Sequence, residues 1–80
     1  MDIDSVVERY IVTELMMKDD STKLAPDQSL LSSGVIDSLS LLRLISFIEE
    51  KFGIVVDDHE VVPENFETRN MIKSLIMSKM

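Results

Sequence analysis

One run of residues restricts the fold more than any other. Leu41, Leu44, Ile45, Ile48 and Phe52 fall within a narrow arc at about 100° per residue, the stepping of an α-helix with a single apolar face. The run is closed at both ends. Asp37 and Ser38 precede it, and a side-chain oxygen of either can accept a bond from a free N–H of the first helical turn. Gly53 follows Phe52 and is a natural stop, because glycine accepts the left-handed backbone that ends many helices. A helix from Ser38 to Phe52 therefore has its start, stop and buried face written into the chain. A chain of 80 residues can add few further elements of that length.

Ile3, Val7, Ile11 and Leu15 recur every four residues, which predicts a first helix from Ile3 to Met17. Ser5 and Glu8 have the spacing of a capping box at its start. Lys18 to Ser33 is a long connection rich in turn formers, among them Asp19, Asp20, Pro26 and Asp27. Leu24, Leu30 and Leu31 are expected to pin it to the core. So long a connection in so small a domain points to a functional or self-packed loop. Ile54, Val55 and Val56 have strand propensity but no second run to pair with, which favours an extended connector. Asp57 to Val62 is expected to form a short third helix ended by Pro63. Phe66 is expected inside. Thr68 is placed as the cap of a last helix with Met71, Ile72, Leu75 and Ile76 inward. The expected fold is all-α: a single four-helix domain spanning residues 1–80, with three longer helices, one short third helix and a long first loop.

Composition narrows the function. A chain with 45% hydrophobic residues and few glycines and prolines can build a core. It contains no cysteine, so it offers neither disulfide, nor thiolate metal ligand, nor thiol of its own. A net charge of −7 disfavours nucleic acid and anionic membrane as partners. Asp2, Asp4 and Glu8 stand where a secretory leader needs positive charge, and no apolar stretch approaches bilayer length. The expectation is a monomeric, cytoplasmic protein without membrane insertion.

Catalysis by the chain itself has little support. Ser38 could act as a nucleophile only with a base, and the one histidine, His59, stands in the acidic run Asp57, Asp58 and Glu60. That run lacks the spaced oxygen ligands and central glycine of a calcium loop, so no metal site is assigned. Ser38 reads better as a point of attachment. If Asp37 caps the helix, the Ser38 hydroxyl is spare, and free N–H groups with the helix dipole stabilise a phosphate ester there. Any Asp-Ser before an apolar run can equally be no more than a cap. An adaptor domain in which Ser38 only caps is the reading from a different class.

The stretches Asp27-Gln28-Ser29-Leu30-Leu31, Gly34-Val35-Ile36-Asp37-Ser38-Leu39 and Ile48-Glu49-Glu50-Lys51-Phe52-Gly53-Ile54 together resemble the acyl carrier protein family. The segment Val62-Pro63-Glu64-Asn65-Phe66-Glu67-Thr68 is similar to its specialised, discrete members. The resemblance implies a phosphoprotein whose Ser38 receives a 4′-phosphopantetheine arm from coenzyme A through a phosphopantetheinyl transferase. Gly34, Asp37 and Leu39 would support that site, and the arm's thiol would hold acyl groups as thioesters. Partners would be acyl-activating, condensing or acyl-transfer enzymes, with fatty acid, lipid or polyketide-type biosynthesis as the leading role. An aminoacyl, peptidyl or D-alanyl carrier is the alternative. One departure stands out. Fatty acid carriers usually place acidic residues early in the second helix, whereas the outward positions here read Leu39, Leu42, Arg43 and Ser46, with acid only at Glu49 and Glu50. These six residues form the candidate docking face.

Overall fold

A computed structural model describes residues 2–19 and 21–80; the turn expected at Asp20 lies outside them. Among the described residues the fold is all-helical, with no strand. Helix α1 spans Ile3–Tyr10 and continues into a wider π-helical turn, Ile11–Leu15. Helix α2 is Ser38–Phe52, α3 is the single turn Pro63–Phe66, and α4 is Arg69–Lys79. A 3₁₀ turn at Asp58–Glu60 lies between α2 and α3.

The core explains why a small chain holds together. Val7, Ile11 and Val12 face inward from the first helical segment, and Leu44, Ile45 and Ile48 from α2. Ile72, Leu75 and Ile76 complete it from α4, with Phe66 of α3 fully buried among them. Each such side chain contributes about 1.5–3 kcal/mol when taken from water. The long loop is not a tether. Leu24, Leu30 and Ile36 are buried and fix it against the helices, while Leu31 is half-buried. Ile54 and Val56 are buried from the extended connector, with Val55 exposed between them, as alternation in an extended chain requires.

Four local expectations need correction. The first helix stops at Leu15 rather than Met17: the π turn closes through the Met16 N–H to the Ile11 carbonyl at 2.8 Å, and Met17 turns left-handed at φ 58°. Ile11 and Val12, at the start of the π turn, are both buried. Asp2, not Ser5, caps α1, accepting from the Asp4 N–H at 3.2 Å and from the Ser5 hydroxyl at 2.7 Å. The third helix does not run from Asp57 to Val62. Proline excludes helical angles at Val62 but is itself suited to the first helical position, so Pro63 opens α3 instead of ending a helix. Met71 is 44% exposed, because the buried stripe of α4 centres on Ile72 and Ile76 and leaves Met71 at its edge.

Candidate functional site

The site is made where the long loop enters α2. Gly34 has φ +82°, a left-handed backbone that favours glycine, and it lets the chain turn back before Ile36. Ile36 is buried, and its N–H donates to the Leu30 carbonyl at 2.9 Å. Asp37 follows in extended conformation, φ −98° and ψ −177°, and its Oδ1 accepts from the Ser40 N–H at 2.8 Å. Its carbonyl takes the first helical bond, from the Leu41 N–H at 2.8 Å. The Ser40 N–H holds the Asp37 carboxyl below the usual aspartate range, the direction expected where the charged form is hydrogen-bonded.

With Asp37 as the cap, Ser38 is the first helical residue and is exposed. No hydrogen bond to its hydroxyl occurs among the described residues. The oxygen is free for esterification, and it stands at the positive end of a 15-residue helix. A phosphate ester there would meet first-turn N–H groups, while the Asp37 carboxylate is turned into that turn by its own cap bond. These residues fit a phosphopantetheine arm.

Beyond Ser38 the helix presents a face the core does not use. Leu39 and Leu42 are 71% and 58% exposed. They line an open groove with Tyr10, Arg43, Ser46, Phe47 and Glu50. Tyr10 stacks on Phe47 at 4.0 Å between ring centroids, and its hydroxyl donates to the Arg43 carbonyl at 3.4 Å. Among the described residues no carboxylate pairs with the Arg43 guanidinium. Glu49 is turned elsewhere: its carboxylate accepts from the Val56 N–H at 2.9 Å and ties the connector to α2. His59 is exposed in its 3₁₀ turn. Ligand atoms of Asp57, His59 and Glu60 lie within 4.8 Å of one another, yet Glu60 is engaged by Lys79 Nζ at 2.6 Å and by the Asp57 N–H at 3.0 Å. Those engagements make the cluster an ion-paired turn.

Two residues that organise the loop have no signal in the apolar pattern. Arg69 is buried at the start of α4, with Nε 2.8 Å from Asp4 Oδ1 and Nη1 2.8 Å from Glu8 Oε2, and it also donates to the Leu24 carbonyl. Glu67 accepts from the Ser29 hydroxyl and, at 3.2 Å, from the Ser32 N–H. A lone arginine among the inward positions of α4, with acids in the first helix, is the only hint the sequence offers.

A small helical bundle with one unengaged hydroxyl at a helix N-terminus has the form of a domain that bears a group. The family model described as "Phosphopantetheine attachment site" matches residues 5–70, and the chain belongs to that family. Its cofactor is covalently attached 4′-phosphopantetheine. The chain is 37% identical over 70 residues to a D-alanyl carrier protein of Streptococcus suis, covering 88% of this chain and 86% of that one. It is 38% identical over 72 residues to the D-alanyl carrier protein of Streptococcus mutans, covering 90% and 87%. A chain in a solved structure described as "Crystal structure of FAD-dependent dehydrogenase" superposes with TM-score 0.75 and 30% identity, over 86% of this chain and 96% of that chain. What the two share is the helical fold.

These relatives overturn the leading expectation of fatty acid, lipid or polyketide-type biosynthesis in favour of the D-alanyl alternative. The physical reason is that the family likeness rests on the arm, which carriers of unlike cargoes share, so it does not separate them. On the outward positions of α2, Leu39, Leu42, Arg43 and Ser46, the chain departs from the acidic pattern of fatty acid carriers.

Proposed function

We propose that this chain is a D-alanyl carrier: it bears D-alanine on a 4′-phosphopantetheine arm attached to Ser38. The observation that carries the reading is the exposed Ser38 hydroxyl, left without a partner because Asp37 takes the capping role. The similarity to D-alanyl carrier proteins over most of the chain supports the cargo. The bound group supplies the thiol that this cysteine-free chain lacks, on which the aminoacyl group rides as a thioester.

The chain's own contribution is presentation. In the attachment step the Ser38 oxygen bonds to the pantetheine-bearing phosphorus of coenzyme A. The bond from that phosphorus to 3′,5′-adenosine bisphosphate breaks, and the serine proton passes to a base on the transferase. Gly34 and Asp37 fix the loop and the first turn, and Leu39 flanks the attachment point. Catalysis of this step is assigned to the transferase. A tightly packed core, with Ile11, Leu44 and Ile48 fully buried, suits a small cargo that stays outside the bundle.

The face made by Leu39, Leu42, Arg43, Ser46 and Glu50, with Glu49 behind it, is the docking surface of this reading. Its partner surface would match two apolar side chains and offer an acid to Arg43. Partners are a phosphopantetheinyl transferase and a D-alanine-activating, adenylate-forming enzyme. Intact-mass measurement after incubation with coenzyme A and a broad-specificity transferase tests the site. A gain of one phosphopantetheinyl group, absent in Ser38→Ala, is expected; no gain, or a gain that persists in Ser38→Ala, would overturn it.

A further inference from the structure

Glu67 is the corner residue between α3 and α4, and all of its polar contacts with the long loop go to the segment that delivers Ser38. Its carboxylate accepts from the Ser29 hydroxyl and, at 3.2 Å, from the Ser32 N–H. Its backbone carbonyl accepts from the Leu30 N–H at 2.7 Å. Leu30 passes the connection on, since its own carbonyl accepts the Ile36 N–H at 2.9 Å. Ile36 is buried next to Asp37, whose carboxylate caps the helix that starts at Ser38.

Between Ser29 and Ile36 the segment closes on itself. The Ser33 hydroxyl donates to the Ser29 carbonyl at 2.6 Å, and the Gly34 N–H to the Leu31 carbonyl at 3.1 Å. A loop with these internal bonds moves as a unit, so a carboxylate that holds Ser29 and Ser32 from outside sets where the unit sits. The Ser29 hydroxyl, first, and then the Ser32 N–H hold the Glu67 carboxyl below the usual glutamate range. A charged acceptor makes such bonds about twice as strong as a neutral one.

We infer that Glu67 is a positioning residue for arm attachment: acting through Ser29, Ser32 and Leu30, it fixes the α2 entry at which a transferase must meet the Ser38 hydroxyl. The inference rests on the reading of Ser38 as the attachment site. It adds a second point of control, at a residue that is neither Ser38 nor part of the groove lined by Leu39, Leu42 and Arg43.

The test compares Glu67→Ala, Glu67→Gln and wild type in phosphopantetheinyl transfer, with Ile76→Val as a core truncation that lowers stability away from the loop. Glu67→Ala keeps the backbone bond to Leu30 but loses both carboxylate contacts. It should lower kcat/KM for transfer roughly tenfold, since small misplacements of a reacting group are costly. Glu67→Gln retains an acceptor oxygen and should recover most of that loss. Ile76→Val should transfer at the wild-type rate. In the unmodified protein, hydrogen exchange at the Ile36 amide should quicken roughly fivefold to tenfold in Glu67→Ala, with amides of α1 and α4 unchanged. Transfer by Glu67→Ala at the wild-type rate, a loss equal to that of Ile76→Val, or unchanged exchange at Ile36 would overturn the inference. If wild type takes no arm, the Ser38 reading fails by itself; the exchange measurement needs no transferase and still decides whether Glu67 holds the loop.

Discussion

Replacing Arg69 by methionine should be the most damaging single polar change in the molecule. The Arg69 side chain is 9% exposed and lies 2.8 Å from both Asp4 and Glu8, whose side chains are 28% and 23% exposed. Breaking a fully buried ion pair by removing one partner costs about 3–5 kcal/mol. Here the stranded carboxylates reach some water, which reduces the loss, while the Leu24 carbonyl loses a donor worth about 1 kcal/mol. The net expectation is about 2–4 kcal/mol, against a total stability of about 5–15 kcal/mol for a native domain. For a domain of this size that corresponds to a fall in Tm of roughly 10–25 °C.

Urea unfolding followed by far-ultraviolet circular dichroism measures the loss, and a double-mutant cycle with Glu8→Gln assigns it. The pair should fall short of additivity by about 1–2 kcal/mol, as expected of groups in one network. The Glu8 carboxyl is held below the usual glutamate range, first by the Leu24 N–H and then by Arg69. A depressed carboxyl contributes stability that is fully present above its unfolded value and is lost as the pH falls through its folded value. Wild type should therefore lose stability on acidification below the ordinary glutamate range, and Arg69→Met less steeply. A loss under about 1 kcal/mol, or strict additivity with Glu8→Gln, would refute the network as drawn.

Other outcomes follow from single features. Gly53 ends α2 at φ +66° with nothing within 4 Å of a Cβ placed there, so Gly53→Ala should cost only the backbone penalty of about 1 kcal/mol, read as a lowered Tm. The Ser40 amide, titrated by nuclear magnetic resonance, should report an Asp37 midpoint below the ordinary aspartate range; the cap persists above that range and releases as the pH falls through the midpoint. A midpoint at or above the ordinary value would contradict the cap. Arg43→Glu should slow aminoacyl loading by the activating enzyme about 2- to 10-fold, chiefly through encounter, and less so at high salt. Equal loading of both proteins at low salt would remove Arg43 from the docking face.

The parts of the fold that were legible in the sequence are those written in local chemistry. Helix α2 begins and ends at the residues its cap and its glycine dictate, and Thr68 caps α4 by accepting from the Met71 N–H at 3.2 Å. The apolar spacing also placed Leu39 and Leu42 outside. What was not legible depends on partners distant in the chain. Glu8 lies at capping-box distance from Ser5, yet it is drawn to Leu24 and Arg69 across the bundle. Glu67 and Arg69 carry no periodic signal, because partners such as Ser29 and Asp4 lie 38 and 65 residues earlier in sequence, in the long loop and the first helix. Pro63 follows two rules at once: it keeps Val62 extended and opens α3 itself, so it marks a helix start where the sequence alone suggests an end. The choice among cargoes had no signal for a different reason, since the resemblance rests on a signature common to carriers of unlike groups.

The most direct test of the central claim is mass mapping of the Ser38 peptide after the arm-bearing protein has been charged with ATP, D-alanine and a D-alanine-activating enzyme. D-alanine is expected on a phosphopantetheine at Ser38, released by hydroxylamine as a thioester is. An arm on another serine, or a holo-protein that refuses D-alanine while accepting a long-chain acyl group, would contradict it.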